Sequence, residues 1–316
     1  MTPATTADPS VHIESEVLGA LLSYLRAADY HFIAPTPATH RRVIGRPEKA
    51  RARDLRDVFG WSLPFRPGTL PAEIAAAAER AGVLVPSGEG LRSTVRLSSL
   101  DGSLFMHSAY PTSAADAVFF GPDTYRFARA IRHAMPPIVR RAVDIGCGSG
   151  PGAIVVARAR PEAEVLAVDI NEAALALTRV NAVTAGVTVD ARQSDLLDAV
   201  DGDLDLVVAN PPYLVDPGER AYRHGGGPLG AGLSLKILEA AIQRLSPGGT
   251  LLLYTGAAII GGADPFRVAA EARLGGSGMR WTYDEIDPDV FGEELDGGAY
   301  ATSDRIAAVL LAAQKD

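Results

Sequence analysis

The sequence predicts an α/β protein: a doubly wound, mostly parallel sheet of seven strands, preceded by a smaller helical, winged-helix-like domain. Three observations lead there. From about Thr112 onward apolar strand-like runs alternate with helical stretches, the pattern of a parallel sheet covered on both faces. Before that point helical periodicity gives way to a short strand, turn and strand. Finally, the motifs of the second domain fall at the carboxyl ends of strands, where ligands of such sheets bind. The chain is therefore divided into residues 1–110 and 111–316.

The elements follow in order. Ser15–Ala34 carries Val17, Leu18, Leu21, Leu22 and Leu25 at helical spacing, and Pro35 and Pro37 end it. A second helix is expected over Ala50–Phe59. A third spans Pro71–Ala81, opened by proline and closed by Gly82. "LRSTVRLSS" and "SLFMHS" alternate apolar and polar residues around Asp101-Gly102, a hairpin turn signal. In the second domain the strands are "RRAVDIG", "AEVLAVDI", "VTVDARQSD", Leu204–Ala209, "GTLLLYTG", "MRWTYDEID" and "DRIAAVLLAAQ". The helices between them include "GAIVVARAR", "NEAALALTRVNAVTAG", "LSLKILEAAIQRL" and "DPFRVAAEARL", and a glycine- and acid-rich loop separates the last two strands.

Composition narrows the function classes. The single cysteine, Cys147, excludes internal disulfides and a multi-cysteine metal site, and the six histidines lack ligand spacing, so no metal is expected. No apolar run approaches the roughly 20 residues of a membrane span. "MTPATTADPS" has no leader pattern, so the expected address is the cytoplasm. A net charge of −8 argues against bulk electrostatic coating of nucleic acid. Basic residues nevertheless gather in His40–Arg56, either as a solvated helix face or as a phosphate-contacting patch.

The first strand of the sheet runs into "VDIGCGSGPG", where Gly146, Gly148 and Gly150 permit a tight turn and close approach of backbone to a ligand. Gly148-x-Gly150-x-x-Ala153 also fits a dinucleotide fingerprint, which keeps a nicotinamide or flavin dehydrogenase in view. Asp144 discriminates. Its carboxylate would repel a pyrophosphate but attract an ammonium group. Asp169, closing the second strand, is placed to accept ribose hydroxyls, although a plain surface aspartate fits there too. Asp195 ends the third strand, where it can take an exocyclic adenine amine beside Ile170 and Leu196. An adenosine joined to an amino acid is S-adenosylmethionine. Cys147, between loop glycines, is read as a small side chain facing that cofactor and not as a nucleophile.

The fourth strand stops at Asn210-Pro211-Pro212-Tyr213. Two prolines remove two backbone donors and fix two φ angles, so the minimal reading is a strand terminator. The chemical reading is sharper. An amide or aryl amine nitrogen is a poor nucleophile because its lone pair is conjugated away. If the Asn210 carboxamide oxygen and the Pro211 carbonyl accept its N–H groups, electron density rises and the lone pair is aimed at the methyl. The prolines hold the carbonyls rigid, and Tyr213 offers a ring face to a planar group and to developing positive charge. In "RHGGGPLGAG", His224 and the glycines form either a mobile substrate loop or a cap on the next helix.

These motifs resemble those of the class I S-adenosylmethionine-dependent methyltransferases, specifically the N-methylating group with an NPPY motif, over roughly residues 115–315. Within that group the chain is most similar to the HemK/PrmC family, which methylates the glutamine of the GGQ tripeptide in release factors. The resemblance implies a Rossmann-like fold, cofactor contacts from Asp144, Gly146, Asp169, Asp195, Leu196 and Asn210, and a methionine-end contact from Thr124. It also implies that Asp123 lies near the substrate. Gly121-Pro122-Asp123-Thr124 stands where that family has arginine, proline, acid and threonine. Relatives with the same quartet methylate adenine N6 in DNA or guanine N2 in ribosomal RNA, so a nucleic-acid acceptor remains the alternative to a protein. A regulator that binds nucleic acid and only senses the cofactor would not need the Asn210–Tyr213 quartet.

Overall fold

The computed structural model describes residues 9–220 and 222–316; the start of the chain, where no leader pattern was read, lies mostly outside them. The first region comprises helices α1 (Pro9–Ala27), α2 (Pro37–Ile44), α3 (Leu55–Phe59) and α4 (Ala72–Arg80), then strands β1 (Leu84–Ser87), β2 (Gly90–Ser93), β3 (Val95–Leu100) and β4 (Ser103–Ser108). Helix α1 stops earlier than the sequence suggests. Asp29 takes a left-handed φ of 52°, and Tyr30, Phe32 and Ala34 then alternate inward along β3. There Ser99 N–H donates to the Phe32 carbonyl at 2.7 Å and the Tyr30 hydroxyl to the Leu97 carbonyl at 3.0 Å.

The helix expected over Ala50–Phe59 is likewise shorter, because Asp54 caps a new start by accepting the Asp57 N–H at 2.8 Å. The basic run instead begins on α2, which Thr36 caps and Pro37 opens. The β3–β4 hairpin turns through Asp101 and Gly102, both left-handed (φ 51° and 73°), as a two-residue hairpin requires. Its strands are buried between α1 and helix α7 (Glu172–Ala185) rather than presented to solvent as a wing.

The second region continues with α5 (Pro122–Ala134), β5 (Arg141–Ile145), α6 (Pro151–Ala159), β6 (Glu164–Asp169), then α7 and β7 (Asp190–Gln193). After these come β8 (Leu204–Ala209), α8 (Gly232–Arg244), β9 (Leu245–Ile259), α9 (Pro265–Leu274), β10 (Met279–Asp287) and β11 (Arg305–Lys315). Seven strands form one sheet in the order β10-β11-β9-β8-β5-β6-β7, parallel except where β11 pairs antiparallel with β9 and β10. The α/β architecture read from the sequence is therefore observed.

Period-two alternation sends Ala142, Leu206, Val208, Leu252 and Leu310 into one core, with Phe127, Ile154 and Leu175. Val143, Val207, Leu251, Leu253 and Val309 enter the other, with Ile237 and Phe266. The order reverses between β8 and β5, where neighbouring connections leave in opposite directions and a crevice opens beyond the strand ends. Among the described residues no helix is long and apolar enough to cross a membrane.

Candidate active site

A cavity of about 230 Å³ lies at that switch point, over the carboxyl ends of β5, β6, β7 and β8. Asp123, Thr124, Asp144, Gly146, Cys147, Gly148, Asp169, Ile170, Asp195, Leu196 and the whole Asn210–Tyr213 quartet line it. Of the cofactor and quartet residues expected from sequence Gly150 does not, nor does His224 of the glycine-rich stretch. The left-handed φ of 86° at Gly150 starts α6, and a Cβ there would fall 2.9 Å from the Thr178 methyl, so its task is close packing.

The floor is built by β5 and the turn after it. The Gly146 and Cys147 N–H groups both donate to the Val168 carbonyl, at 2.8 and 3.1 Å, which folds the turn back on β6. Asp144 is 2 % exposed, and one carboxylate oxygen accepts the Ala153 N–H at 2.9 Å from the first turn of α6. Burial pushes its carboxyl up to about 7, against the pull of that hydrogen bond, and the Asp169 charge adds to the rise. Asp169 holds the loop: one oxygen accepts the Gly148 N–H at 3.0 Å and the other the Asn171 N–H at 2.9 Å. Burial raises its pKa, and these backbone bonds oppose the shift.

Exposed Ile170 and Asp195, with half-buried Leu196, form the opposite wall. Cys147 is buried with its sulfur 3.5 Å from the Thr178 hydroxyl, and burial holds the thiol well above its usual range. A thiol so protonated is no nucleophile.

At the end of β8 the Asn210 carboxamide is hydrogen-bonded to no described residue and borders the cavity. The glycine-rich stretch after it is packed directly beneath the quartet. A Cβ on Gly225 would lie 2.7 Å from the Pro212 carbonyl oxygen, and one on Gly230 2.2 Å from that of Tyr213. The Gly225 N–H also donates to the Leu214 carbonyl at 2.8 Å, and the His224 ring accepts the Asp216 N–H at 3.1 Å. Gly225 and Gly230 are thus the bed of the quartet. The cap on the next helix that the sequence allowed is also present, since the Gly226 and Gly225 carbonyls accept the Gly232 and Leu233 N–H groups at 2.9 and 2.8 Å at the start of α8.

Tyr213 is only 7 % exposed, lying against Gly256, where a Cβ would meet its ring at 2.2 Å. Its buried hydroxyl has no hydrogen-bond partner among the described residues; the Asp123 carboxyl instead accepts the Tyr254 hydroxyl at 2.8 Å and is raised by burial. Sequence reasoning missed Pro37, Phe119, Tyr222, Arg223 and Phe291, which also line the cavity. The only signal for Phe291 was an aromatic in an otherwise acid- and glycine-rich loop.

The donor set fits S-adenosylmethionine. Buried Asp144 suits its ammonium end, the glycine turn admits close backbone approach, and Asp169 and Asp195 border apolar Ile170 and Leu196 as a ribose and adenine require. Among the described residues no group of three or more metal-binding side chains occurs.

The Methyltransferase small domain family matches residues 127–258. The chain is 32 % identical over 218 residues to the release factor glutamine methyltransferase of Deinococcus radiodurans, covering 63 % of this chain and 72 % of that one. It is 31 % identical over 186 residues to the same enzyme of Koribacter versatilis, covering 54 % of this chain and 62 % of the relative. A solved structure from Pyrococcus horikoshii, described as a transferase, shares the fold with a TM-score of 0.50 at 14 % identity, over 88 % of this chain and 98 % of that one.

Proposed function

The chain belongs to the release factor glutamine methyltransferase family, and we propose that it moves a methyl group from S-adenosylmethionine to the side-chain amide nitrogen of a release-factor glutamine. The carrying observation is the Asn210 carboxamide, unengaged by any described residue at the cavity wall beside two proline carbonyls. When bound, the cofactor supplies an electrophilic methyl on a sulfonium. Asn210 Oδ1 and the Pro211 carbonyl accept the two amide N–H bonds and fix the nitrogen's direction. No strong base is required, because the nitrogen becomes acidic only as the methyl arrives, and its surplus proton then passes to water. Asp123 lies on the acceptor side, and residues 1–110 serve in substrate recognition.

The test is tritiated-methyl transfer to cell extract with and without protease, RNase and DNase, followed by purified release factor with and without its GGQ glutamine. Labelling that resists protease and is lost with nuclease would turn the reading to a nucleobase.

Two outcomes concern the cofactor. Asp169→Ala is expected to cost about 1.5–3 kcal/mol of cofactor affinity, the scale of hydrogen bonds to a charged group, as measured by calorimetry. Unchanged affinity would remove Asp169 from the ribose site. Asp144 confers a pH dependence. Its carboxyl in the ligand-free protein titrates at about 7, and only the ionised form attracts an ammonium. Affinity should rise from pH 5.5 to 7.5, and the rise should vanish in Asp144→Asn. Because this folded-state pKa lies above the unfolded carboxylate value of about 4, the group lowers ligand-free stability as pH climbs between the two. A slope in Asp144→Asn equal to that of the wild type would assign the titration elsewhere.

A further inference from the structure

The loop joining β10 to β11 grips the segment that follows the quartet. At its start Asp287 pairs with Arg126 at 2.6 Å, and Arg126 also reaches Asp123 at 3.2 Å. In its middle Glu294 pairs with Arg223 on the cavity rim. At its end the Tyr300 hydroxyl accepts the Val215 N–H at 3.0 Å and donates to the Leu229 carbonyl at 3.2 Å. Between these ties sits Phe291, whose ring meets Tyr213 edge to face, centroids 5.8 Å apart at 73°.

Phe291 adopts φ 55° and ψ 38°, a left-handed conformation that a bulky side chain rarely takes. Glycine would hold it without strain, and a glycine stands next door at Gly292. Such strain persists where surrounding structure enforces it, and it clusters at functional sites. The Val290 N–H, donating to the Ile306 carbonyl at 2.7 Å, fixes the backbone just before it. What the strain achieves is to put an aromatic ring on the cavity wall. Tyr213, against Gly256 on β9 and beside Phe291, has little ring face left to offer. Phe291 is only half-buried.

We propose that Phe291 is a specificity-determining residue: its ring is the surface on which the planar acceptor group rests beside Asn210. This rests on the reading of a planar amide or amine acceptor given above. The loop from Asp287 to Tyr300 then works as a clamp that holds the ring in place, tied through Arg126 and Arg223 to both sides of the cavity.

The test uses whichever macromolecule the wild-type enzyme labels in extract, so failure of the release-factor assignment leaves it intact. Phe291→Gly relieves the backbone and deletes the ring. The expected result is a rise of about tenfold in acceptor KM, in line with loss of one aromatic contact, with cofactor Kd unchanged by calorimetry. Phe291→Tyr, which keeps the ring, should restore KM. Phe291→Leu guards against misfolding of the glycine variant and should fall between. Wild-type KM in Phe291→Gly and Phe291→Leu, or a fall in cofactor affinity that matches the loss of activity, would overturn the proposal.

Discussion

Asn210→Ala is expected to lower kcat by about 100- to 1000-fold, the usual effect of deleting one preorganised transition-state contact, with cofactor affinity little changed. The carboxamide stands at the end of β8, whose register against β5 and β9 is fixed by buried apolar neighbours on both faces. Its backbone cannot shift to compensate, because Pro211 and Pro212 set the next two φ angles and the glycines beneath leave no slack. Alanine therefore removes the acceptor for an amide N–H and puts nothing in its place. Asn210→Asp keeps an acceptor and should retain part of the rate. Steady-state kinetics on the labelled substrate decide the matter. A wild-type kcat in Asn210→Ala would reduce the quartet to a strand terminator.

Much of this was legible in the sequence, and the reason is physical. Signals that are local and obligatory can be read directly. Glycine takes left-handed turns such as those at Gly146 and Gly148 without strain, two prolines in a row stop a core strand sharply, and buried parallel strands are near-continuous apolar runs. The acids at strand ends could be placed because topology puts all such ends on one rim.

What stayed hidden is long-range. Nothing near Tyr30 in sequence shows that it will leave a helix to lie beside β3, since the gain comes from Leu97 and Ser99, far along the chain. Phe291 and Tyr300 joined the site through β10 and β11, whose antiparallel pairing returns their loop over the quartet. Gly225 and Gly230 were ambiguous for a similar reason: what they pack against is the backbone of Pro212 and Tyr213, and no periodicity marks it. The hairpin's burial depends on α7, a helix some 75 residues away in the chain.

That last contact carries the second large effect. Asn181, in the middle of α7, is fully buried and ties three pieces together. Its Oδ1 accepts the Met106 N–H at 2.8 Å, and its amide nitrogen donates to the Met106 carbonyl at 3.0 Å and the Ser149 carbonyl at 2.9 Å. Met106 belongs to the β3–β4 hairpin and Ser149 to the glycine turn that lines the cavity, so one side chain joins the first region to that turn. Val180 beside it is part of the N-terminal core, which makes that region one packed body with α7 instead of a detachable module.

Asn181→Ala leaves three buried backbone groups without partners. At about 1–3 kcal/mol for each such group, less whatever an entering water recovers, the expected loss is about 3–5 kcal/mol in stability. Urea unfolding should show the midpoint falling with the slope unchanged, and cofactor affinity should drop as well because the Ser149 turn loosens. Asn181→Asp sharpens the test, since a carboxylate still accepts from Met106 N–H but faces two carbonyls with negative charge. It is expected to lose at least as much. If Asn181→Ala unfolds at the wild-type midpoint, the hairpin is held by apolar contact alone and the link from N-terminal region to glycine turn does not exist.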